Sequence, residues 1–255
     1  MPLFFSVVFL TILFSSPVLS SGEFYEPIRF SSGNDSLISL DLNRDGNLDL
    51  ISTDDSSRNG FSILLGNGDG TFANEIFYPT DNYTDVILGD DINNDNILDL
   101  IVSTYISNYP NIDRYLTTYL GNGDGTFAEV ETYELSKKLV SDFTTGYFNE
   151  DSFIDIIISN NILLGNGDGT FDEAYIYTTI DLNGPYFVKS FDFNKDDNLD
   201  LVVINGESPN AFILLGNGDG TFNEAVLYLV GDDPTALSLA DFNNDNNIDI
   251  AITNW

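Results

Sequence analysis

Five short acidic segments carry the residue types best suited to bind a metal ion. Four of them follow the spacing D-x-N-x-D-x-x-x-D, beginning at Asp41, Asp91, Asp192 and Asp241, and a degenerate copy lies at residues 147–155. In a tight loop, the oxygen side chains at positions one, three, five and nine turn inward, and the backbone carbonyl of position seven joins them. Such an all-oxygen cage suits a hard cation such as Ca²⁺. We therefore predict calcium sites in these loops.

The predicted ligands are the side chains of positions one, three, five and nine and the backbone carbonyl of position seven. In the four regular loops these residues are Asp41, Asn43, Asp45, Asn47 and Asp49; Asp91, Asn93, Asp95, Ile97 and Asp99; Asp192, Asn194, Asp196, Asn198 and Asp200; and Asp241, Asn243, Asp245, Asn247 and Asp249. Three carboxylates about 5 Å apart repel one another by roughly 3 kcal/mol per pair at an effective dielectric constant near 20. A bound dication removes this repulsion, so the pattern favours a metal over an empty turn.

The third loop lacks part of this ligand set. Tyr147 stands where the first ligand belongs, which leaves Asn149, Asp151 and Asp155. Position six requires a left-handed backbone, and it is Gly, Asn or Asp in the other loops, whereas Ser152 is a poorer choice. We therefore expect about four good calcium sites and a fifth that is weak or empty.

Two other interpretations of the acidic loops compete with this one. An EF-hand needs Glu at position twelve and helical flanks, whereas Ser52 occupies that position in the first loop and the flanks are strand-like. Alternatively, Asp and Asn merely form turns between strands. Five copies in one phase, four of them with every side-chain ligand, favour the metal interpretation.

A second motif, L-G-N-G-D-G-T-F, alternates with the acidic loops and ends at Phe72, Phe127, Phe171 and Phe222. It matches a nucleotide-binding glycine loop poorly, because no helical pattern follows it, it has no lysine and its aspartate would repel a phosphate. Asn, Asp and Gly tolerate the positive φ of hairpin turns. We therefore predict that these segments are hairpin turns.

The two motifs recur with a period of roughly 50 residues, which is typical of propeller blades. In the first unit, the segments 48–52, 61–65, 71–78 and 85–88 are apolar or aromatic and are predicted to be strands. No segment sustains a helical period. Four strands per unit predict an all-β fold, a β-propeller of four-stranded blades. A β-solenoid is the alternative, although its repeat is usually shorter.

The ends of the chain bear on how many blades to expect. Residues 24–30 and 37–40 match the last two strands of a blade, and residues 248–252 match the first strand of one. This predicts about four complete blades and one composite or partial blade, with the ring closed by joining the two ends. If the chain is instead part of a longer ring, open edges remain.

Residues 1–21 are interpreted as a secretory signal peptide, and residues 22–255 as the propeller domain. The apolar run is shorter than the roughly 20 residues that a membrane span requires, and Val18, Leu19 and Ser20 resemble a cleavage site. No Lys or Arg precedes the run. An uncleaved signal anchor, which would tether the protein to a membrane, and a buried core segment are the alternatives. We expect a secreted protein in surroundings rich in free calcium.

Composition excludes several classes of function. The 255 residues include 41 acidic and 8 basic ones, for a formal net charge of −33. This excess argues against nucleic acid and anionic membrane surfaces as partners, because both attract Lys and Arg. The absence of Cys and His excludes disulfides, Cys- or His-ligated metals, thiol nucleophiles and Ser-His-Asp triads. Hydrophobic residues still make up 42% of the chain, so a core can form.

The alternating acidic loops and Gly-rich turns resemble the FG-GAP repeats of integrin α-subunit propellers and of many secreted proteins. The resemblance covers residues 24–255. It implies a propeller with Ca²⁺ in the interstrand loops, carried over here to Asp41, Asn43, Asp45 and Asp49 and to the matching positions of the other copies. Integrin-type propellers have more blades than this chain can supply, so the resemblance does not extend to an integrin-like head surface.

Two classes of function fit these features. The first is a secreted, calcium-binding recognition or adhesion module that binds an extracellular protein or glycan without catalysis. The second is a glycan-active enzyme that uses a carboxylate pair, or the propeller part of a larger secreted hydrolase. Of the 41 acidic residues, 16 lie in the five loops and 4 in the Gly-rich turns, and the other 21 form no second motif. The sequence therefore favours the binding module.

Overall fold

The computed structural model describes residues 9–12, 28–31, 36–53, 58–108, 111–135, 142–158, 160–172, 175–176, 185–205 and 208–254. Every regular element in these ranges is a β-strand. No helix in them has the length and apolar character needed to cross a bilayer.

The strands are short and follow one another closely along the chain. They are β1 (Phe9–Ile12), β2 (Ile28–Ser31), β3 (Leu37–Leu40), β4 (Asp49–Thr53), β5 (Gly60–Leu64), β6 (Ile76–Pro79), β7 (Tyr83–Asp90), β8 (Asp99–Asn108), β9 (Asn111–Gly121), β10 (Phe127–Leu135), β11 (Phe143–Gly146), β12 (Asp155–Ile158), β13 (Asn161–Leu163), β14 (Tyr175–Ile176), β15 (Pro185–Phe191), β16 (Asp200–Asn205), β17 (Asn210–Leu214), β18 (Val226–Leu229), β19 (Pro234–Ala240) and β20 (Asp249–Asn254).

These strands form four antiparallel meanders of four strands each. We call them blade one (β3 to β6), blade two (β7 to β10), blade three (β11 to β14) and blade four (β15 to β18). Strands β19 and β20 form a two-stranded sheet, which we call the partial blade, and β1 pairs with β2. The predicted all-β propeller of four-stranded blades, with four complete blades and a partial one, is confirmed.

The strands fall into blades one strand out of phase with the prediction. Residues 37–40, expected in an incomplete blade, are the first strand of blade one, where Leu40 pairs with Asp49. Tyr83–Asp90 likewise begins blade two instead of completing blade one. The reason is that each acidic loop reverses the chain tightly enough for the strands on its two sides to pair as a hairpin. The predicted strand 71–78 shrinks to Ile76–Pro79, because Phe72 forms a bridge with Gly66 in the turn.

The two ends of the chain do not share a sheet among the described strands. The partners of β19 and β20 are each other, and β1 pairs with β2 in the register Phe9↔Ser31. The expected composite blade is therefore not formed by these strands. Phe9–Ile12 falls within the predicted signal peptide, most of which lies outside the described residues together with residues 22–27. The signal peptide stays a prediction.

The core lies between successive blades. Phe61 and Ile63 of blade one pack with Leu100 and Tyr119 of blade two, and similar clusters join blade two to three and three to four. Because these blades are covered on both faces, their second strands need apolar side chains at successive positions. This explains why every residue of β12 and β16 is buried. The packing between blades also holds the loops at the ends of these strands in place.

Candidate metal centre

The acidic loop of blade one is held by hydrogen bonds between its predicted ligands and its own backbone. Asp41 accepts the N–H of Asp45 at 3.2 Å on Oδ1 and the N–H of Gly46 at 3.0 Å on Oδ2. Asn43 Oδ1 accepts the same N–H of Asp45 at 3.1 Å, and Asp45 Oδ1 accepts the N–H of Asn47 at 2.7 Å. The oxygens of positions one and three therefore converge on one backbone amide.

Three other loops repeat this pattern. In the loops that begin at Asp91, Asp192 and Asp241, the first aspartate accepts the N–H groups of positions five and six at 2.7–3.1 Å. The Asn at position three donates its side-chain N–H to the carboxylate of position five in each case, at 2.9–3.1 Å. Four loops with the predicted ligands thus share one conformation.

The backbone of these loops is left-handed at two positions. Position six has a φ of 85° in Gly46, 62° in Asn96, 70° in Asp197 and 65° in Asn246, as predicted. Position four is also left-handed, with φ between 59° and 64°, and this was not predicted. Asn, which tolerates a positive φ, occupies position four in two loops and could have indicated this conformation. Arg and Lys, which occupy it in the other two loops, give no such indication.

The third loop adopts a different conformation. Neither Glu150 nor Ser152 has a positive φ, and the side chain of Tyr147 is exposed instead of turning into the loop. Asn149 Oδ1 still accepts the N–H of Asp151 at 3.0 Å, and Asp151 accepts that of Phe153 at 2.8 Å. The third loop therefore has no side chain in the place of the first ligand, and its backbone differs from that of the other four loops.

The aspartate at position nine has a role that the sequence analysis did not identify. Asp49 Oδ2 accepts the N–H of Leu42 within the loop, and Oδ1 accepts the N–H of Gly66 in the Gly-rich turn, both at 2.8 Å. Asp99, Asp155 and Asp200 make the same two bonds at 2.8–3.0 Å. All four carboxylates are 0% exposed. Each one clamps an acidic loop to the Gly-rich turn of the same blade, which explains why the two motifs alternate.

Burial and hydrogen bonding shift the pKa values of the loop carboxylates in opposite directions at positions nine and five. The pKa of Asp99 is raised to about 6, mainly by burial; the charges of Asp95 and Asp91 also raise it, and the N–H groups of Gly121 and Ile92 lower it. The exposed Asp45 behaves oppositely, since the N–H of Asn47 and the side chain of Asn43 lower its pKa. A cation near position nine would relieve the unfavourable charge there.

The donor set decides which metal the loops fit. Within the described ranges, no group of three or more Asp, Glu, His or Cys side chains is placed to hold a metal ion. The loops offer carboxylates at positions one and five and an amide oxygen at position three. The oxygens of positions one and three share one backbone donor, the N–H of Asp45, whereas Asp45 Oδ1 accepts the N–H of Asn47. Such mixed oxygen ligands are what Ca²⁺ accepts in proteins.

Neighbouring acidic loops touch one another along one edge of the blades. Asn94 of the second loop donates to the carbonyl of Ser152 in the third at 3.0 Å. Lys195 of the fourth loop donates to the carbonyl of Asn246 at 3.1 Å and to Asn247 Oδ1 at 2.8 Å. Two pairs of neighbouring loops, the second with the third and the fourth with the fifth, are thus in direct contact.

The Gly-rich turns are hairpin turns held by their own side chains. Asp69 Oδ1 accepts both the N–H of Thr71 at 2.9 Å and its hydroxyl at 2.6 Å, while Asn67 Nδ2 donates to the same hydroxyl. The hydroxyl and N–H of Thr71 lower the pKa of Asp69. These segments are hairpin turns, as predicted, but they connect the third and fourth strands of the blades, whereas the predicted grouping placed them between the second and third.

Comparison with known proteins agrees with this architecture. The sequence model of the FG-GAP-like repeat family matches residues 41–102, 91–158 and 192–252. No curated protein matches the chain.

Several solved structures have a similar fold. BBS1N, in complex with ARL6DN, is 15% identical over 92% of this chain and 63% of its own, with a TM-score of 0.55. The V. cholerae biofilm matrix protein Bap1 is 16% identical over 96% of this chain and 38% of its own, with a TM-score of 0.53. An Agrocybe aegerita protein that recognises non-reducing terminal N-acetylglucosamine is 16% identical over 89% of this chain and 79% of its own, with a TM-score of 0.42. For the two structures with TM-scores above 0.5, such low identities show a shared fold alone.

Proposed function

The chain belongs to the FG-GAP-like repeat family, and from this premise we propose that it is a secreted, calcium-binding propeller. In this proposal it acts as a recognition module for an extracellular protein or glycan and has no catalytic activity of its own. The observation that carries the proposal is the common conformation of four acidic loops, in which the oxygens of positions one and three converge on one amide.

The fold supports a binding role. Blades packed face to face hold their connecting loops at the ends of short strands, and loops on a rigid scaffold are common carriers of recognition. The second acidic loop touches the third, and the fourth touches the fifth. A ligand that contacts either pair of loops would engage two neighbouring sheets.

The metal would be held by positions one, three, five, seven and nine of the four regular loops. Bound there, Ca²⁺ supplies positive charge that neutralises the loop carboxylates. Extracellular modules bind calcium with a Kd of about 10⁻⁴ to 10⁻³ M, so each site contributes roughly 0.4–1.4 kcal/mol at millimolar calcium. Four such sites stabilise the fold by roughly 2–6 kcal/mol, a large share of a typical domain's stability.

Calcium titration and thermal melting test the metal part of the proposal. We expect EGTA to lower the Tm by roughly 5–20 °C and added Ca²⁺ to restore it. In isothermal titration calorimetry, Asp45→Ala should lose about one site, while Tyr147→Asp should gain one, because it restores the first ligand of the third loop. Glu224→Gln, an exposed carboxylate outside the loops, is the matched control. A Tm that does not respond to EGTA would contradict the calcium proposal.

A screen of glycans and matrix proteins tests the recognition part. Binding that requires Ca²⁺ and leaves the ligand chemically unchanged supports the module. Hydrolysis of a glycan, lost on substitution of two carboxylates outside the acidic loops, would replace it with the enzyme alternative. Mass spectrometry of the protein exported by its host would show whether residues 1–21 are removed.

A further inference from the structure

Position four of the acidic loops directs a side chain toward the loop of the next sheet. Its backbone is left-handed in Asn94 and Lys195, with φ of 59° and 64°. Asn94 of the second loop donates to the carbonyl of Ser152, which is position six of the third loop. Lys195 of the fourth loop donates to the carbonyl of Asn246, which is position six of the fifth loop, the one that begins at Asp241. Position four therefore makes the same kind of contact at two places in the repeat.

The two contacts differ in charge. Asn94 brings a neutral amide to the third loop, whereas Lys195 brings an ammonium group to the fifth. Lys195 Nζ lies 3.1 Å from the carbonyl oxygen of Asn246 and 2.8 Å from Asn247 Oδ1. The backbone of Lys195 stays in its own loop, where its N–H donates to Asp192 Oδ1 at 2.7 Å. The fifth loop thus receives a positive charge from the fourth.

This charge lies beside the predicted ligands of the fifth loop. Asn247 is position seven, whose backbone carbonyl is a predicted ligand, and its N–H donates to Asp245 Oδ1 at 2.8 Å. The N–H of Asn247 lowers the pKa of Asp245, and the charge of Lys195 also lowers it. An ammonium group that stabilises the Asp245 carboxylate repels a cation bound to that carboxylate, because the two positive charges lie on the same side of the loop.

Arg44 provides the comparison within the chain. It occupies position four of the first loop, has the same left-handed backbone with a φ of 60°, and carries the same charge as Lys195. Among the residues that the structure describes, its side chain makes no hydrogen bond to the second loop. A positive charge at position four is therefore joined to the neighbouring loop in Lys195 and not in Arg44.

We propose that Lys195 is a built-in counterion of the fifth loop, which orders this loop without metal and lowers its affinity for calcium. The ammonium group holds the segment at Asn246 and Asn247 through its two hydrogen bonds. It also offsets part of the negative charge that a dication would otherwise neutralise. The second part of this inference rests on the calcium binding proposed above. Its consequence is that the fifth loop fills at a higher calcium concentration than it would with a neutral side chain at position 195.

Amide hydrogen exchange in EGTA, measured by NMR, tests the first part without calcium. The N–H groups of Asn246 and Asn247 donate to Asp241 Oδ2 and Asp245 Oδ1. Lys195→Met removes the ammonium group and should speed the exchange of both N–H groups by about threefold or more. Lys195→Arg keeps the charge and the donors and should restore slow exchange. Rates that are unchanged in Lys195→Met would overturn the ordering role.

A calcium titration followed by single amide resonances tests the second part. The resonance of Asn246 reports the fifth loop and that of Asn96 the second, so both Kd values come from one experiment. At an ionic strength of about 0.01 M, where surface charges are weakly screened, Lys195→Gln should lower the Kd of the fifth loop by roughly three- to tenfold. The Kd of the second loop should not change, and Lys195→Arg should keep both parent values. An unchanged Kd of the fifth loop in Lys195→Gln would overturn the proposal.

Arg44→Gln is the matched control, because it removes one positive charge from the same position of another loop. It should leave the Kd of the fifth loop as in the parent. If it tightened calcium binding at the fifth loop as much as Lys195→Gln does, net charge rather than the contact of Lys195 would be the cause, and the proposal would be wrong. Near-ultraviolet circular dichroism verifies that the variants are folded.

The two experiments separate a failure of this inference from a failure of calcium binding itself. If no loop resonance of the parent protein responds to Ca²⁺, the proposed calcium sites and the affinity effect of Lys195 are both wrong. The exchange rates in EGTA still decide whether Lys195 orders the fifth loop. If the resonances of Asn96 and Asn246 respond but Lys195→Gln has no effect, the calcium sites stand and the counterion role of Lys195 is wrong.

Discussion

At the scale of single residues, the aspartate at position nine determines how an acidic loop and a Gly-rich turn are joined. Its two oxygens satisfy two buried backbone N–H groups, one from each motif. In blade three the clamp can be studied apart from the proposed metal binding, because the loop of this blade has Tyr147 in place of the first ligand. The two roles can therefore be tested apart there.

Asp155→Ala should lower the free energy of unfolding by about 2–4 kcal/mol, because two buried N–H groups lose their acceptor. Asp151→Ala, which removes an exposed carboxylate of the same loop, should cost less than about 1 kcal/mol. Urea denaturation in the presence of EGTA measures both. Equal losses for the two variants would show that the clamp contributes no more than an ordinary loop hydrogen bond.

The residue types of the loops were predictable, but the clamp was not. D-x-N-x-D-x-x-x-D indicates oxygen ligands at fixed spacing, and Gly, Asn or Asp at position six indicates the left-handed backbone that Gly46 and Asn96 adopt. Nothing in the spacing shows that Asp49 is buried and faces Gly66, because these residues meet through the pairing of β4 with β5. That contact is a property of the sheet.

At the scale of elements, the first glycine of each Gly-rich turn allows two backbones to approach. A Cβ added to Gly121 would overlap the backbone carbonyl of Leu98, and Gly66, Gly165 and Gly216 face the equivalent carbonyls in their blades. The glycine is required by contact with the neighbouring strand, in addition to any requirement of the turn.

We expect Gly121→Ala to destabilise the protein by roughly 1–3 kcal/mol, because the backbone must shift to admit the methyl group. Gly46→Asn is the control, since Asn96 and Asn246 hold the same left-handed position and nothing lies within 4 Å of a Cβ at Gly46. It should change the free energy of unfolding by less than about 1 kcal/mol. Denaturant titrations measure the free energy of unfolding of both variants. A Gly121→Ala variant as stable as the parent would contradict the close approach of the two backbones.

The strands themselves were predicted more reliably than their grouping into blades. Apolar segments bounded by Gly, Asn and Asp located β4 and β5, but the alternation of strands and loops is the same whichever strand begins a blade. The acidic loop decides the grouping, because it closes a hairpin between β3 and β4 with Leu40 opposite Asp49. Pairing of this kind is visible only in the sheet.

At the scale of the whole molecule, the charge of −33 opposes the compact fold by self-repulsion. Raising NaCl from about 0.01 to 0.3 M shortens the screening length well below its value of about 30 Å at the lower salt concentration. We therefore expect the Tm in EGTA to rise by several degrees over this range. If the proposed calcium sites fill, the rise in saturating Ca²⁺ should be smaller, because the bound ions would neutralise part of the charge. Scanning calorimetry measures both series, and equal responses with and without Ca²⁺ would contradict this explanation.

The sequence by itself determined the repeat, the all-β propeller class and the oxygen-rich loops, because these depend on residue type and on spacing along the chain. The tertiary structure decided which strands share a blade and which aspartates are buried as clamps. The physical reason is that burial and hydrogen-bond partners depend on the neighbouring strand or blade. Asp49 and Asp45 belong to the same loop, yet only Asp49 is buried, because the pairing of β4 with β5 brings it to the N–H of Gly66.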